Sequence, residues 1–359
     1  MRDIAKILEQ WKNLPQDGKV KETKDIKFLA SSDYNFIFDK NSGKFARWGK
    51  TEGDDPQWSP FGPEIADIEL SSGECSSRCA FCYKGNGDHS GKANNMSLET
   101  FKRLFSKLPK TVNQIAFGIC DITTNEDFFP IMEYTRANGV IPNYTCNGHF
   151  VTEEVAKQTA ACCGAVAVSV VDKELSYNAV KKFTDAGMRQ VNFHSLLSEE
   201  TFDKCMSIVD DMSTDPRLKK MRAIVFLQYK HKNPSSPFHS MLDKKKYQQL
   251  VEHCLKKKIN FGFDSCSANL FMESMSASPN LKRYAQVSEP CESVCFSSYI
   301  NWEGKFFPCS FCENVKDWTD GIDVVNCNDF IKDIWMHPRV QEFREKLLNN
   351  NRNCPIYNI

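Results

Sequence analysis

Three cysteines at close spacing form the clearest chemical motif in the chain. Cys75, Cys79 and Cys82 follow one another with CxxxCxxC spacing just after a strand-like run that ends at Leu70. Three thiolates on a short loop can bind three irons of a [4Fe–4S] cluster and leave the fourth iron open to a substrate or cofactor. A zinc site is the alternative, as are incidental thiols, and zinc would need a fourth ligand, for which His89 is the nearest candidate.

A second group of cysteines lies near the C-terminus. Gly304 separates two aromatic-rich strand halves, which predicts a hairpin that returns Cys309 to the side of Cys291 and Cys295. With the distant Cys354, these thiolates would make a four-ligand cage. A structural zinc knuckle remains possible, because four cysteines bind zinc with similar spacings. The six cysteines of this region are Cys291, Cys295, Cys309, Cys312, Cys327 and Cys354.

Composition narrows the class of protein. The 46 basic and 46 acidic side chains leave no net charge, so the long-range attraction typical of nucleic-acid binders and polybasic membrane proteins is missing. The sequence contains neither an apolar run long enough to span a bilayer nor an apolar signal core at its start, so we expect a cytoplasmic protein. The cytosol keeps thiols reduced, and metal or cluster ligation therefore best explains the clustered members among 16 cysteines.

Alternating strand-like and helix-like runs predict an α/β fold with a parallel sheet, in which chemistry belongs at the C-terminal strand ends. The pattern alone allows a complete barrel, a partial barrel or an open doubly wound sheet. We expect an N-terminal helix and β-hairpin extension at 1–60, a barrel at 61–268 and a small cysteine-rich domain at 269–359. The predicted strands are 64–70, 114–118, 141–145, 166–170, 190–194, 224–228 and 260–263, and the predicted helices are 97–108, 126–138, 152–163, 177–186, 199–209 and 246–257.

The first cysteine motif resembles the signature of the radical S-adenosylmethionine (SAM) enzymes. The spacing CxxxCxΦC, with Phe81 as the aromatic residue, follows the first barrel strand, where that family carries it. The resemblance implies a partial (βα)6 TIM-like barrel and a cluster bound by Cys75, Cys79 and Cys82. In that family SAM chelates the fourth iron, and its reductive cleavage gives a 5′-deoxyadenosyl radical that abstracts a substrate hydrogen.

Polar residues at later strand ends follow the order of the family's SAM-binding motifs. Phe117-Gly118-Ile119-Cys120-Asp121 stands where the family usually has Gly-Gly-Glu, so the carboxylate comes one residue late. Thr145-Cys146-Asn147-Gly148 is close to the family's Thr-Asn-Gly with one residue inserted. The alternative for each of these polar residues, taken singly, is that it forms structural hydrogen bonds and does not contact SAM. The cofactor-binding candidates that the resemblance implies are Phe81, Gly118, Asp121, Asn147, Ser169, Asn192, His194 and Gln228.

The C-terminal cysteines resemble the SPASM and Twitch extensions of radical SAM enzymes, which carry auxiliary [4Fe–4S] clusters. The shared feature is the Cys–x12–Gly–x4–Cys spacing from Cys291 to Cys309. A full SPASM domain has two clusters and more cysteines, so we expect one auxiliary cluster here. Its predicted ligands are Cys291, Cys295, Cys309 and Cys354, with Cys312 as the main rival and Cys327 undecided.

Enzymes with such extensions mostly modify ribosomally made peptides or proteins by crosslinking, thioether formation, epimerisation or residue excision. The resemblance therefore implies a peptide or protein substrate, a separate leader-peptide-binding partner and a reductant such as flavodoxin or ferredoxin. Two alternatives stay open. One is a radical SAM dehydrogenase or nucleotide-modifying enzyme with a small substrate, and the other is a non-catalytic zinc or cluster scaffold.

Overall fold

The computed structural model describes residues 15–51, 53–86, 93–233, 236–357 and 359. The predicted N-terminal helix and the candidate zinc ligand His89 lie outside these ranges. Along the chain the strands are β1 (Val20–Glu22), β2 (Ile26–Leu29), β3 (Asn35–Asp39), β4 (Phe45–Trp48), β5 (Ile65–Glu69), β6 (Ser71–Ser72), β7 (Asn94–Asn95), β8 (Gln114–Gly118), β9 (Ile141–Cys146), β10 (Ala165–Ser169), β11 (Val191–Leu197), β12 (Ala223–Gln228), β13 (Phe261–Phe263), β14 (Ser297–Ile300), β15 (Lys305–Phe307) and β16 (Ile322–Asp323).

The helices alternate with the strands of the barrel and are named in the same way. They are α1 (Leu98–Phe105), α2 (Phe128–Ala137), α3 (Glu153–Cys162), α4 (Lys173–Asp185), α5 (Phe202–Thr214), α6 (Lys244–Lys257), α7 (Ala268–Ser274), α8 (Leu281–Ala285) and α9 (Pro338–Asn349), with a 3₁₀ turn at Pro216–Leu218 and a π-helical segment at Phe330–Trp335.

One ten-stranded sheet forms the centre of the molecule, in the order β13-β12-β11-β10-β9-β8-β5-β14-β15-β16. Neighbouring strands from β13 to β14 pair in parallel, and β15 and β16 are antiparallel. Side chains from β5, β8, β9, β10, β11 and β12 all border one cavity, so the sheet curves around it. The predicted partial (βα)6 TIM-like barrel is confirmed, and all seven predicted strands are present.

Three of the barrel helices begin at a residue whose side chain caps the helix and precedes the first helical residue. The Ser97 side chain accepts a hydrogen bond from the Thr100 backbone N–H at the start of α1, as its position before the apolar pattern predicts. Thr152 and Asp172 cap α3 and α4 in the same way. Both caps lie between a barrel strand and the helix that follows it. They therefore fix the loops that leave the C-terminal strand ends, where the candidate site lies.

The N-terminal extension is a four-stranded antiparallel sheet, β1 to β4, of which the predicted hairpin forms only β3 and β4. Its buried face packs with C-terminal residues in one apolar cluster: Leu29, Tyr34, Phe36, Phe38, Ile141, Cys295, Phe296 and Leu347. Arg47 of β4 pairs with buried Glu64, with Nη1–Oε2 at 3.1 Å, and its guanidinium lies 3.5 Å from the Phe296 ring centroid. The extension is thereby attached to both the barrel and the C-terminal region.

The C-terminal hairpin continues the barrel sheet. β14 pairs in parallel with β5, with Tyr299 opposite Asp67, and in antiparallel with β15. Gly304 makes the turn with a φ of +80°, a conformation that other residues adopt at a cost. The turn then leads into β15 and Cys309, as the spacing around this glycine predicts. The hairpin thus brings the second cysteine group to the side of the barrel.

The Gly304→Ala substitution is expected to destabilise the protein more than Gly43→Ala. Both glycines have positive φ, so each alanine carries backbone strain of about 1–2 kcal/mol. An added Cβ at Gly304 would overlap the Val325 side chain, whereas no atom lies within 4 Å of one at Gly43. We therefore expect Gly304→Ala to cost about 1–3 kcal/mol more in urea unfolding. Equal losses would show that the turn has room for a side chain.

Candidate active site

A cavity of about 570 Å³ opens at the C-terminal ends of the barrel strands. Its volume falls within the range of roughly 300–1,000 Å³ that is typical of cofactor and small-molecule sites. The barrel strands supply one wall, the first cysteine loop a second, and the C-terminal region a third. The residues that carry chemistry on these walls are Asp67, Cys79, Cys82, Thr145, Ser169, His194, Lys204, Lys230, Asp264, Cys266, Cys291, Glu292, Cys309, Cys312, Cys354 and Tyr357.

The first cysteine loop begins after β6 and faces the cavity. Cys75, Cys79 and Cys82 are free and half-buried, and Cys79 and Cys82 border the cavity directly. Burial, with smaller contributions from Cys82 and Cys75, raises the pKa of Cys79 to about 12. Three adjacent thiolates here would need nearby positive charge, which the irons of a cluster supply. The donor set therefore fits an iron–sulfur cluster.

The arrangement differs from a site for a single metal ion. In the part of the chain that the structure describes, no three His, Cys, Asp or Glu side chains converge closely enough to bind one ion. A cubane is several ångströms across and separates its thiolates more widely than one tetrahedral zinc does.

Asp121 and Asn147 hold the first cysteine loop in place. The Asp121 carboxylate accepts hydrogen bonds from the Ser76 backbone N–H at 3.0 Å and from the Ser76 hydroxyl at 2.7 Å. The Asn147 amide donates to Asp121 at 2.6 Å and to the Cys75 sulfur at 3.5 Å. Both side chains were predicted to bind SAM. Here their contacts are with the loop that carries the cysteines, and their role toward SAM stays a prediction.

The other predicted cofactor-binding residues fall into two groups. Gly118, Ser169, His194, Gln228 and Phe81 border the cavity, whereas Asn192 lies two residues before His194 on β11 and outside the cavity lining. The Gln228 amide is engaged in structural hydrogen bonds, donating to the Met241 carbonyl and accepting from the Tyr247 hydroxyl, each at 2.9 Å. His194 Nδ1 lies 3.4 Å from the Thr145 hydroxyl, and burial lowers the His194 pKa to about 4. The His194 ring is therefore neutral at physiological pH.

Some of the predicted auxiliary ligands border the cavity, and others do not. Cys291, Cys309, Cys312 and Cys354 border the cavity, with the Cys309 and Cys312 sulfurs 3.4 Å apart. Cys295 is fully buried in the apolar cluster beneath the N-terminal sheet. Cys327 is also in the core, away from the cavity. The rival candidate Cys312 thus borders the cavity, whereas Cys295 lies behind Cys291, which packs against the apolar cluster.

Two contacts join the cysteine loops, and the sequence motifs gave no sign of either. The rings of Tyr83, next to Cys82, and Phe311, between Cys309 and Cys312, stack with centroids 4.0 Å apart and planes 20° apart. The Lys84 ammonium pairs with Glu69 at 3.0 Å and with Glu313, and it donates to the Tyr299 hydroxyl at 2.8 Å. These contacts fix the two cysteine groups on facing walls of the cavity.

Four further polar residues on the cavity wall lie outside every motif. Lys204 donates to the Val171 carbonyl at 2.8 Å, and Lys230 pairs with Asp264 at 3.0 Å and lies over the Phe311 ring. Cys266 borders the cavity as well. The sequence could have indicated Asp264 and Cys266 as site residues, because they follow β13 at the C-terminal edge of the sheet. Lys204 lies on α5, where no sequence pattern distinguishes it.

Asp67 is an unpaired carboxylate inside the barrel. It lies in the middle of β5, borders the cavity, and forms neither a hydrogen bond nor an ion pair with any residue that the structure describes. Its side chain is exposed to the open space of the cavity, which the barrel strands surround. Desolvation by the surrounding barrel raises the Asp67 pKa from 3.8 to about 7.

The Asp67→Asn substitution is expected to stabilise the protein increasingly as the pH rises. Between about pH 4 and pH 7 the native Asp67 stays protonated while the unfolded chain ionises, so wild-type stability falls through this window. The amide of the variant does not ionise, so the variant does not lose stability in this way. Because cavity water partly solvates the carboxylate, we expect a gain of about 1–2 kcal/mol above pH 7 and almost none near pH 4. Urea unfolding at both pH values tests this, and a gain independent of pH would contradict it. The titrations of Glu64 and Glu292 also change stability with pH, but they do so equally in both proteins and cancel in the difference.

Comparisons with known proteins agree with this architecture. Residues 291–355 match the model of the SPASM family, an iron–sulfur cluster-binding domain. Streptococcus suis SuiB bound to the precursor peptide SuiA superposes with a TM-score of 0.69 at 12% identity, over 91% of this chain and 90% of that one. The structure of anSMEcpe with bound AdoMet gives a TM-score of 0.56 at 16% identity, over 78% and 79%. No curated protein matches the chain in sequence.

The fold and the matched domain agree with the sequence analysis. The chain combines the barrel fold of these structures with a C-terminal match to the SPASM family, so the predicted barrel and the predicted SPASM-like domain are confirmed. The cluster-binding domain coincides with the walls that carry Cys291, Cys309, Cys312 and Cys354. Among the described residues, no helix is both long and apolar enough to cross a bilayer.

Proposed function

We propose that this protein is a radical SAM enzyme that modifies a peptide or a protein segment. The observation that carries the proposal is the cavity, because cysteines of the first loop and of the C-terminal domain border the same space. A site of this kind can place a cofactor and a substrate carbon side by side and exclude water from both.

The first cysteine loop would hold the SAM-binding cluster through Cys75, Cys79 and Cys82. When bound, the cluster and SAM supply a 5′-deoxyadenosyl radical that abstracts a hydrogen atom from the substrate. Asp121 fixes the loop through Ser76, and the Asn147 amide donates to the Cys75 sulfur. Gly118, Ser169 and Lys204 border the adjacent cavity, where Lys204 offers a positive charge for a carboxylate. Phe81 and the neutral His194 would bound the space for the rest of the cofactor.

The C-terminal domain would hold one auxiliary cluster. We favour Cys291, Cys309, Cys312 and Cys354 as its ligands, because these four thiols border the cavity and Cys295 packs into the core. Burial raises the pKa of Cys291 to about 12, and a hydrogen bond with the Cys312 thiol lowers the pKa of Cys309. A cluster at this position would be in the cavity wall, close to a bound substrate.

A peptide substrate is favoured over a sugar or nucleotide by the fold relatives. The SuiB structure contains its precursor peptide SuiA, and one anSMEcpe structure contains the Cp18Cys peptide together with AdoMet. The proposal includes a reductant such as flavodoxin or ferredoxin, and a separate protein that binds the leader of the substrate peptide.

The test is to incubate the reconstituted enzyme with SAM, a reductant and the short peptides encoded beside its gene, and to read the peptide masses. We expect one peptide to change mass with consumption of SAM. Turnover of a sugar, alcohol or nucleotide with every peptide unchanged would replace the peptide proposal with the dehydrogenase or nucleotide alternative.

A further inference from the structure

The unpaired Asp67 marks a binding position that the proposed function does not yet use. Its neighbours in the sheet register are Ala116 of β8 on one side and Tyr299 of β14 on the other. Ala116 is too small to fill the space above the carboxylate. The Tyr299 hydroxyl is already engaged with Glu69, at 3.0 Å. The sheet therefore presents Asp67 to the cavity without a partner.

No cationic side chain on the described cavity wall forms an ion pair with Asp67. Lys204 donates to the Val171 carbonyl at 2.8 Å, and Lys230 pairs with Asp264 at 3.0 Å. His194 lies beside Thr145 and is neutral in its buried position. No positive group of the described chain thus pairs with the Asp67 carboxylate, which leaves it available to a cationic group that enters the cavity.

We propose that Asp67 binds an ammonium or guanidinium group of the substrate, such as a lysine, an arginine or an amine carried by the modified segment. This inference rests on the proposed function and adds a substrate class to it. Apart from the polar residues named above, the exposed surface of the cavity is largely apolar, and it includes the Leu227 side chain of β12. A ligand with an apolar body and one cationic end would therefore complement this part of the cavity.

The need for a positive charge on the ligand can be tested without knowing the natural substrate. The probes are 2-phenylethylamine and its neutral analogue 2-phenylethanol, which share one apolar body. Equilibrium dialysis would measure the affinity of each for the cluster-loaded enzyme with SAM and without reductant. The variants are Asp67→Asn, Asp67→Ser and, as a matched control, the exposed Asp317→Asn. Release of 5′-deoxyadenosine after reduction is measured on the same preparations.

We expect wild type and Asp317→Asn to bind the amine about tenfold or more tightly than the alcohol, as for a hydrogen bond to a charged group. Asp67→Asn and Asp67→Ser should reduce this ratio to about one, while Asp317→Asn keeps the wild-type ratio, SAM affinity and 5′-deoxyadenosine release.

Two results would overturn the inference. One is an amine preference that is absent from wild type or retained in both Asp67 variants. The other is a tenfold weaker SAM affinity in Asp67→Asn, which would assign the carboxylate to the positive charge of SAM. A wild-type enzyme that releases no 5′-deoxyadenosine would instead refute the proposed function, and an Asp67-dependent amine preference would still stand.

Discussion

Replacing Cys75, Cys79 and Cys82 together with alanine is expected to abolish 5′-deoxyadenosine release and to leave about four irons per chain. The three thiols belong to one loop and the auxiliary candidates belong to the opposite wall, so each group can bind its cluster independently. We expect the release rate to fall at least about 10³-fold, since no side chain replaces the missing irons. Iron and sulfide analysis, with chromatography of the nucleoside product, measures both effects.

The matched control for this experiment is Cys162→Ala. Cys162 is buried in α3, on the helical layer of the barrel and outside the cavity. Its loss should affect stability alone and leave iron content and product release at the wild-type level. Release of 5′-deoxyadenosine by the triple variant would contradict the assignment of the first loop. Zinc, or an absence of metal, in the triple variant would reject the auxiliary cluster.

The Lys84→Met substitution is expected to lower the free energy of unfolding by about 3–5 kcal/mol. Lys84 is the cation between two buried carboxylates, and the side chains of Lys84, Glu69 and Glu313 are only 11%, 5% and 9% exposed. Methionine fills a similar volume but leaves both carboxylates without a cation. At least one of them must then take up a proton or admit water, and either response costs stability.

Lys305→Met is the control for the loss of a lysine. Lys305 pairs with Asp320 at 2.7 Å, but their side chains are 37% and 73% exposed, so we expect a loss below about 1 kcal/mol. Urea unfolding of the cluster-loaded proteins under anaerobic conditions compares the two variants. Similar small losses would show that the buried network contributes little to stability and that the facing cysteine loops do not depend on it.

Much of the fold follows from local sequence patterns. Each barrel strand is a short apolar run followed by an amphipathic helix, and such βα repeats allow few topologies. Ser97 marks the start of α1, and Gly304 marks the hairpin turn, because capping and positive φ depend on one residue and its close neighbours. The cysteine motif was found for the same reason, since its three members belong to eight consecutive residues.

The features that the sequence did not reveal depend on contacts between distant segments. Lys84 meets Glu313 across 229 positions, and no spacing rule links them. Asp67 reads as one polar residue in an alternating strand, and its isolation appears only when the barrel surrounds it. Cys295 and Cys312 could not be ranked by spacing, because their difference is the packing of Cys295 against the N-terminal sheet. The strands β1 and β2 were missed because charged residues, Lys21, Glu22 and Lys27, interrupt their apolar pattern.

The most direct test of the account is the product formed from SAM by the wild-type protein. Protein reconstituted anaerobically with iron and sulfide would be mixed with SAM and a strong reductant, and 5′-deoxyadenosine and methionine would be quantified. The account predicts that both products form in equal amounts and that the protein contains about eight irons, four for each cluster. A protein that binds zinc in both cysteine groups and leaves SAM intact would contradict it.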